Sequence, residues 1–105
     1  MKKIVYSNVQ TTNYVSGRPQ RRFLYTQDEL YSKVIYYYFN GNMQEECYYK
    51  ERKLHNSNGA AVIKYDKNQN VIEEKFYLNG KEVNELVILM MSQLPTTKVT
   101  GLLDN

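Results

Sequence analysis

The sequence predicts an α+β fold that is mainly β: an antiparallel β-meander of two hairpin repeats, period 28, with a short C-terminal helix packed on the sheet. Three observations carry this. Val34–His55 laid on Val62–Val83 at an offset of 28 gives nine identities in 22 pairs, where chance would give about one or two. Runs rich in β-branched and aromatic residues alternate with Asn- and Gly-containing turns. Behind them lies an apolar run with helix-capping signals at its start.

The elements follow in chain order. Lys2–Tyr6 is expected to form a short strand, with Ile4 and Tyr6 on one side. Residues 8–20 are polar and contain Gly17 and Pro19, so a loop is expected there. Arg21–Thr26 reads as a second strand. Thr26, with Glu29 three residues on, resembles a helix start, but the pattern ends by Lys33 and supports one helical turn or a tight turn.

The repeat supplies four strands, Lys33–Phe39, Met43–Lys50, Ala60–Asp66 and Val71–Leu78. Asn40-Gly41-Asn42 and Lys67-Asn68-Gln69-Asn70 separate them in pairs, because Asn and Gly accept the positive φ of tight turns. Asn79-Gly80 closes the second copy with a strong turn signal. Its counterpart Glu51-Arg52 is a poor turn sequence, so a looser junction is expected. Ile35/Ile63 and Tyr37/Tyr65 agree between copies and should face inward; Tyr36/Lys64 and Tyr38/Asp66 diverge and should face outward.

Residues 83–95 read as one helix. Asn84 caps it, Glu85 favours the positive end of the dipole, Val83 staples against Ile88, and Pro95 stops it. The helix is apolar nearly all round, so one face should cover the sheet and the rest meet a second subunit or a partner. Residues 96–105 form a polar tail.

At 105 residues the chain suits a single domain able to bury a core unaided. Eleven Tyr and three Phe, with no Trp, carry much of the apolar surface, and Tyr suits strands with one wet face. A lone Cys47 permits no intramolecular disulfide and no cysteine cluster for zinc. No cofactor is expected. The longest apolar run, Leu86–Met91, falls far short of the ~20 residues of a membrane span, and the first residues lack a signal-length apolar run. A soluble, cytoplasmic protein without membrane attachment is expected.

The net charge of +3 is unevenly placed: residues 1–33 hold six basic residues against Asp28 and Glu29, while residues 34–83 hold seven of each sign. Lys2, Lys3, Arg18, Arg21 and Arg22, interleaved with Phe23 and Tyr25, could engage phosphates and stack on bases. The chain is not strongly basic, however, so docking on an acidic protein surface uses the same patch equally well. Cys47 and His55 are the only soft nucleophile and the only imidazole, and no third orienting group accompanies them. The acids Glu45-Glu46 and Glu73-Glu74 recur between copies. Neighbours on a strand point to opposite faces, so neither pair converges on one substrate. No enzymatic constellation is legible.

Lys53-Leu54-His55-Asn56-Ser57-Asn58-Gly59-Ala60-Ala61-Val62-Ile63-Lys64-Tyr65 and Phe76-Tyr77-Leu78-Asn79-Gly80-Lys81-Glu82-Val83 resemble a MORN-like repeat, of the variant patterned NGKLHR-x-DGPA and EYYLNGK. The resemblance spans about residues 33–86. This chain has Ala60 where that pattern has Pro, and Glu51-Arg52 where it has Asn-Gly. Similar repeats occur in small bacteriophage proteins, giant-virus proteins and some bacterial antitoxin-type proteins. The resemblance implies an antiparallel meander with an interaction role, and it transfers no catalytic residue.

The expectation is therefore a non-enzymatic module that binds another protein, such as a host defence factor. Tyr36, Tyr38 and Tyr48 would be aromatic anchors and Arg21 and Arg22 would steer. Self-association would use Leu86, Val87, Met90 and Met91, or an open sheet edge. Nucleic-acid binding through the basic N-terminal third is the alternative.

Overall fold

A computed structural model describes residues 3–93. The chain folds as a mainly antiparallel meander: β1 (Asn8–Asn13), β2 (Pro19–Tyr25), β3 (Tyr31–Tyr37), β4 (Met43–Lys50), β5 (Lys53–Leu54), β6 (Val62–Tyr65), β7 (Val71–Leu78), β8 (Lys81–Val83) and α1 (Glu85–Gln93). The sheet runs β1-β2-β3-β4-β6-β7-β8, with β5 alongside the end of β4. The two copies superpose in kind: β3-β4-β5 repeats as β6-β7-β8. The second edge of β4 is shared, with Tyr49–Lys50 pairing β5 and Glu45–Cys47 pairing β6.

The N-terminal third differs from expectation. Residues 8–13 are a strand and not a loop, and residues 3–6 are not a strand. β1 and β2 form a further hairpin that extends the sheet past β3. Its turn has the construction of the other two. Tyr14 N–H donates to Arg18 O and Gly17 N–H to Tyr14 O; Tyr38 N–H to Asn42 O and Gly41 N–H to Tyr38 O; Asp66 N–H to Asn70 O and Gln69 N–H to Asp66 O. The fourth residue has positive φ each time, at Gly17, Gly41 and Gln69. Three like hairpins thus lie side by side.

Successive turns are bonded to one another at repeating positions. Tyr14 hydroxyl donates to Tyr37 O at 2.7 Å, and Tyr38 hydroxyl to Tyr65 O at 2.7 Å. Arg18 guanidinium donates to Phe39 O at 3.2 Å, and Asn42 amide to Lys67 O at 2.8 Å. Tyr14 also meets Phe39 edge-on, 5.3 Å between centroids. In the last hairpin the corresponding residues are Asp66 and Asn70, and they close on each other: Asp66 accepts from Asn68 N–H, Asn70 N–H and the Asn70 amide.

The opposite end of the sheet is bonded too. Gly80 N–H donates to Leu54 O, Asn56 N–H to Tyr77 O and Asn79 N–H to His55 Nδ1. Glu51-Arg52 forms as tight a turn as Asn79-Gly80, against the expectation of a looser junction. All four residues have positive φ (50°, 67°, 51° and 86°), the signature of a two-residue type I′ connection. Pairing of Lys50 with Lys53 across that turn overrides its poor local propensity. Thr26 closes a tight turn, its hydroxyl donating to Asp28 and accepting from Tyr31 N–H, and β3 follows at once.

The core is thin because the sheet is a single layer for most of its width. Cys47, Ala60, Ala61, Val62 and Ile88 are the buried hydrophobic residues, and no large side chain among the described residues is completely buried. Asn84 caps α1 through its carboxamide oxygen and Val87 N–H. Ile88 is 2% exposed while Leu86, Val87, Leu89, Met90 and Met91 stay exposed, so one face of α1 covers the sheet, at β7. The expected stop at Pro95, and the tail, lie outside the described residues. No described helix is long and apolar enough to cross a membrane.

Candidate interaction face

Residues directly opposite on antiparallel neighbours share a face, so the pairing register sorts every strand residue. The front face carries three rows. Thr12, Arg21, Tyr36, Glu45, Lys64 and Glu73 make the first. Gln10, Phe23, Val34, Cys47, Val62 and Lys75 make the second. Asn8, Tyr25, Ser32 and Tyr49 make the third. Phe23 and Tyr25 stack at 5.3 Å. With Tyr36 and Tyr49 they ring the small residues Val34 and Cys47. Tyr36 is the most open of them at 38%. The rim alternates in charge: Arg21 at one end, then Glu45, Lys64 and Glu73, with Lys64 Nζ 3.5 Å and Lys75 Nζ 4.0 Å from Glu73.

The back face is organised around a buried carboxylate. Glu46, between Ile35 and Ile63, is 7% exposed. Lys33 Nζ lies 3.1 Å from Glu46 Oε2, and the Tyr48 hydroxyl donates to the same oxygen at 3.2 Å. The Tyr65 hydroxyl donates to Oε1. Lys33 also sits 4.9 Å from the centre of the Tyr48 ring. Burial alone would raise the Glu46 pKa, but the Tyr65 and Lys33 hydrogen bonds, the Lys33 charge and Tyr48 outweigh it and hold it below its ordinary value. Burial alone would lower the Lys33 pKa, but hydrogen bonds with Tyr48 and Glu46 and their charges leave it raised. This is a structural anchor with all its partners on the same chain. Residues 3–6 line an open cleft of about 700 Å³ with Thr26–Asp28, Leu30, Tyr31, Tyr48, Tyr49 and His55–Asn58.

The expected anchors do not form one surface. Tyr36 is on the front and Tyr48 on the back, held in the Glu46 cluster. Tyr38, expected outward, is half-buried and engaged with Tyr65 O. Arg21 is on the front and Arg22 on the back, where its guanidinium stands 5.5 Å from the Tyr37 ring centre. Arg18 is spent on Phe39 O, so the N-terminal cations do not converge; Lys2 lies outside the described residues. Leu86, Val87, Met90 and Met91 are exposed as expected. Tyr25, Phe23 and Tyr49 join Tyr36, and their signal in the sequence was the register itself: each lies an even number of positions from a front-face residue on its own strand.

Cys47 and His55 are not joined by any hydrogen bond. The thiol donates to Glu45 at 3.2 Å, and burial, then Glu45, push its pKa up to about 12; a thiol so placed is a poor nucleophile. The Nδ1 of His55 accepts from Asn79 N–H. Burial and the Lys50 charge lower its pKa. Among the described residues no group of three or more His, Cys, Asp or Glu could hold a metal.

Compared with protein-family models, with curated proteins and with solved structures, the chain finds no match.

Proposed function

We propose that the chain is a non-enzymatic protein-interaction module that binds its partner with the front face. The observation that carries this is the aromatic patch of Phe23, Tyr25, Tyr36 and Tyr49, bordered along the row of Tyr36 by the alternating charges Arg21, Glu45, Lys64 and Glu73. Aromatic centres with polar rims are what protein contacts are built from, and Tyr and Arg supply most of their hot spots. The border presents both signs, which suits a protein surface better than a polyanion. Resemblance to MORN-like repeats of small phage proteins extends the reading to a host factor as partner. A component of a bacterial defence system, blocked or modulated in the host cytoplasm, fits it. The split of Arg21 from Arg22 weighs against nucleic acid, which needs a continuous basic footprint.

The test is affinity capture from nuclease-treated bacterial lysate with three baits: the native chain, Arg21→Ala with Tyr36→Ala, and Arg22→Ala. One stoichiometric protein, lost with the front-face bait and kept with the back-face bait, supports the reading. Recovery that depends on intact nucleic acid sinks it.

A further inference from the structure

The two ends of the sheet are finished differently. At the C-terminal end β8 pairs Phe76–Leu78 and α1 packs on β7, with Ile88 buried. At the N-terminal end β1 pairs β2 on one side, and among the described residues nothing pairs the other. Edge strands present a row of unpaired N–H and C=O groups, and proteins normally defend them with charge, proline or bulges. Asn8-Val9-Gln10-Thr11-Thr12-Asn13 has no charge and no proline. Its one irregularity falls between Thr12 and Asn13, at its end, so Asn8–Thr12 stays regular.

We propose that β1 is a self-pairing edge, joining β1 of a second copy in antiparallel register about a twofold axis perpendicular to the sheet. Such an axis keeps front with front, so it pairs residues of like parity. Gln10 meets Gln10 with Val9 opposite Thr11 and Asn8 opposite Thr12, or Thr11 meets Thr11 with Gln10 opposite Thr12. Both registers bring only neutral side chains together. This neutrality is what selects a second copy over a charged strand from elsewhere, which would find no complementary charge on β1. The nearest cations, Arg21 and Arg22 on β2, end three strand spacings from their counterparts. That is roughly 14 Å at ~4.8 Å per spacing, beyond the ~8 Å screening length of physiological salt. The interface is isologous and closes at two copies, because the twofold uses the free edge of β1 in both. The paired molecule is one sheet with Tyr36 displayed twice on a continuous front face, which gives a partner two contacts per molecule.

Sedimentation equilibrium of the full chain over a wide concentration range tests this. A monomer–dimer equilibrium is expected, abolished by Gln10→Lys with Thr11→Lys, which sets like charges at the axis in either register. Both side chains are exposed, and an unchanged circular dichroism spectrum will show that the double variant folds. Leu86→Glu with Met90→Glu should leave the dimer intact. Amide exchange supplies a second readout, with β1 protection rising with protein concentration. A chain that stays monomeric throughout overturns the proposal. So does a dimer lost with the helix variant and kept with the lysines, or growth beyond two copies.

Discussion

Replacing Lys33 by Met leaves the Glu46 carboxylate without its cation. The Glu46 side chain is 9% exposed and that of Lys33 21%, with 3.1 Å between the charged atoms. Removing one member of a fully buried pair costs about 3–5 kcal/mol, because the other charge stays buried. Here Lys33 is partly wetted and two tyrosine hydroxyls still donate to Glu46, so about 2–3 kcal/mol is expected. For a chain of this size that corresponds to a fall in Tm of roughly 10–15 °C. The double variant Lys33→Met, Glu46→Gln should recover most of the loss, since a neutral amide oxygen still accepts from Tyr48 or Tyr65. The pH profile follows from the directions of the two shifts. A lowered Glu46 pKa stabilises the fold above the ordinary value of 4.5 and loses that contribution as pH falls through the folded value. A raised Lys33 pKa stabilises below the ordinary 10.5 and loses that contribution as pH rises through the folded value. Urea denaturation across pH, comparing native chain and double variant, should therefore give a stability difference that is flat between these limits and shrinks outside them. A single Lys33→Met variant within ~0.5 kcal/mol of native at neutral pH, the range of an ordinary surface change, would refute the reasoning.

Three further outcomes are expected. Tyr38→Phe keeps the ring and deletes the hydroxyl bond to Tyr65 O, and should cost about 1 kcal/mol in urea melts; no change would mean that the turn-to-turn bonds do not hold the hairpins together. Glu51→Asn with Arg52→Gly gives the first copy the turn residues of the second. It relieves two non-glycine residues of positive φ and should stabilise by about 1 kcal/mol net of the added chain entropy. Cys47, with its pKa near 12 and buried, should resist alkylation in the native protein and react promptly in urea; prompt native labelling would show that the front face opens.

Legibility followed burial. The repeat could be read because Val34/Val62 and Ile35/Ile63 hold paired positions in the middle of the sheet, where neighbours on both sides constrain them. β1 could not, because an outer strand with five exposed positions of six has no alternation to show. The third hairpin was hidden for a related reason. Its turn begins at Tyr14, 24 residues before Tyr38, whereas Tyr38 precedes Asp66 by 28, and only the backbone bonding reveals the kinship. Tyr38 was read as outward by continuing the alternation of β3, but the strand ends at Tyr37 and Tyr38 opens the turn, where its hydroxyl reaches the neighbouring hairpin at Tyr65 O. The site was half-legible. Tyr36 and Arg21 belong to one face, but Tyr48 and Arg22 belong to the other, and a register between distant strands decides that, not a local pattern. The Lys33–Glu46 pair was missed for the same reason: the two residues are 13 apart in sequence and adjacent only across β3 and β4.

The front face is the central claim, and calorimetric titration of the captured partner against single variants tests it most directly. Tyr36→Ala should weaken binding at least tenfold, about 1.4 kcal/mol or more, while Arg22→Ala on the back stays within about twofold. If the two variants lose affinity equally, or Arg22→Ala alone loses it, the partner does not sit on the face built by Arg21, Phe23, Tyr25, Tyr36 and Tyr49, and the account is wrong.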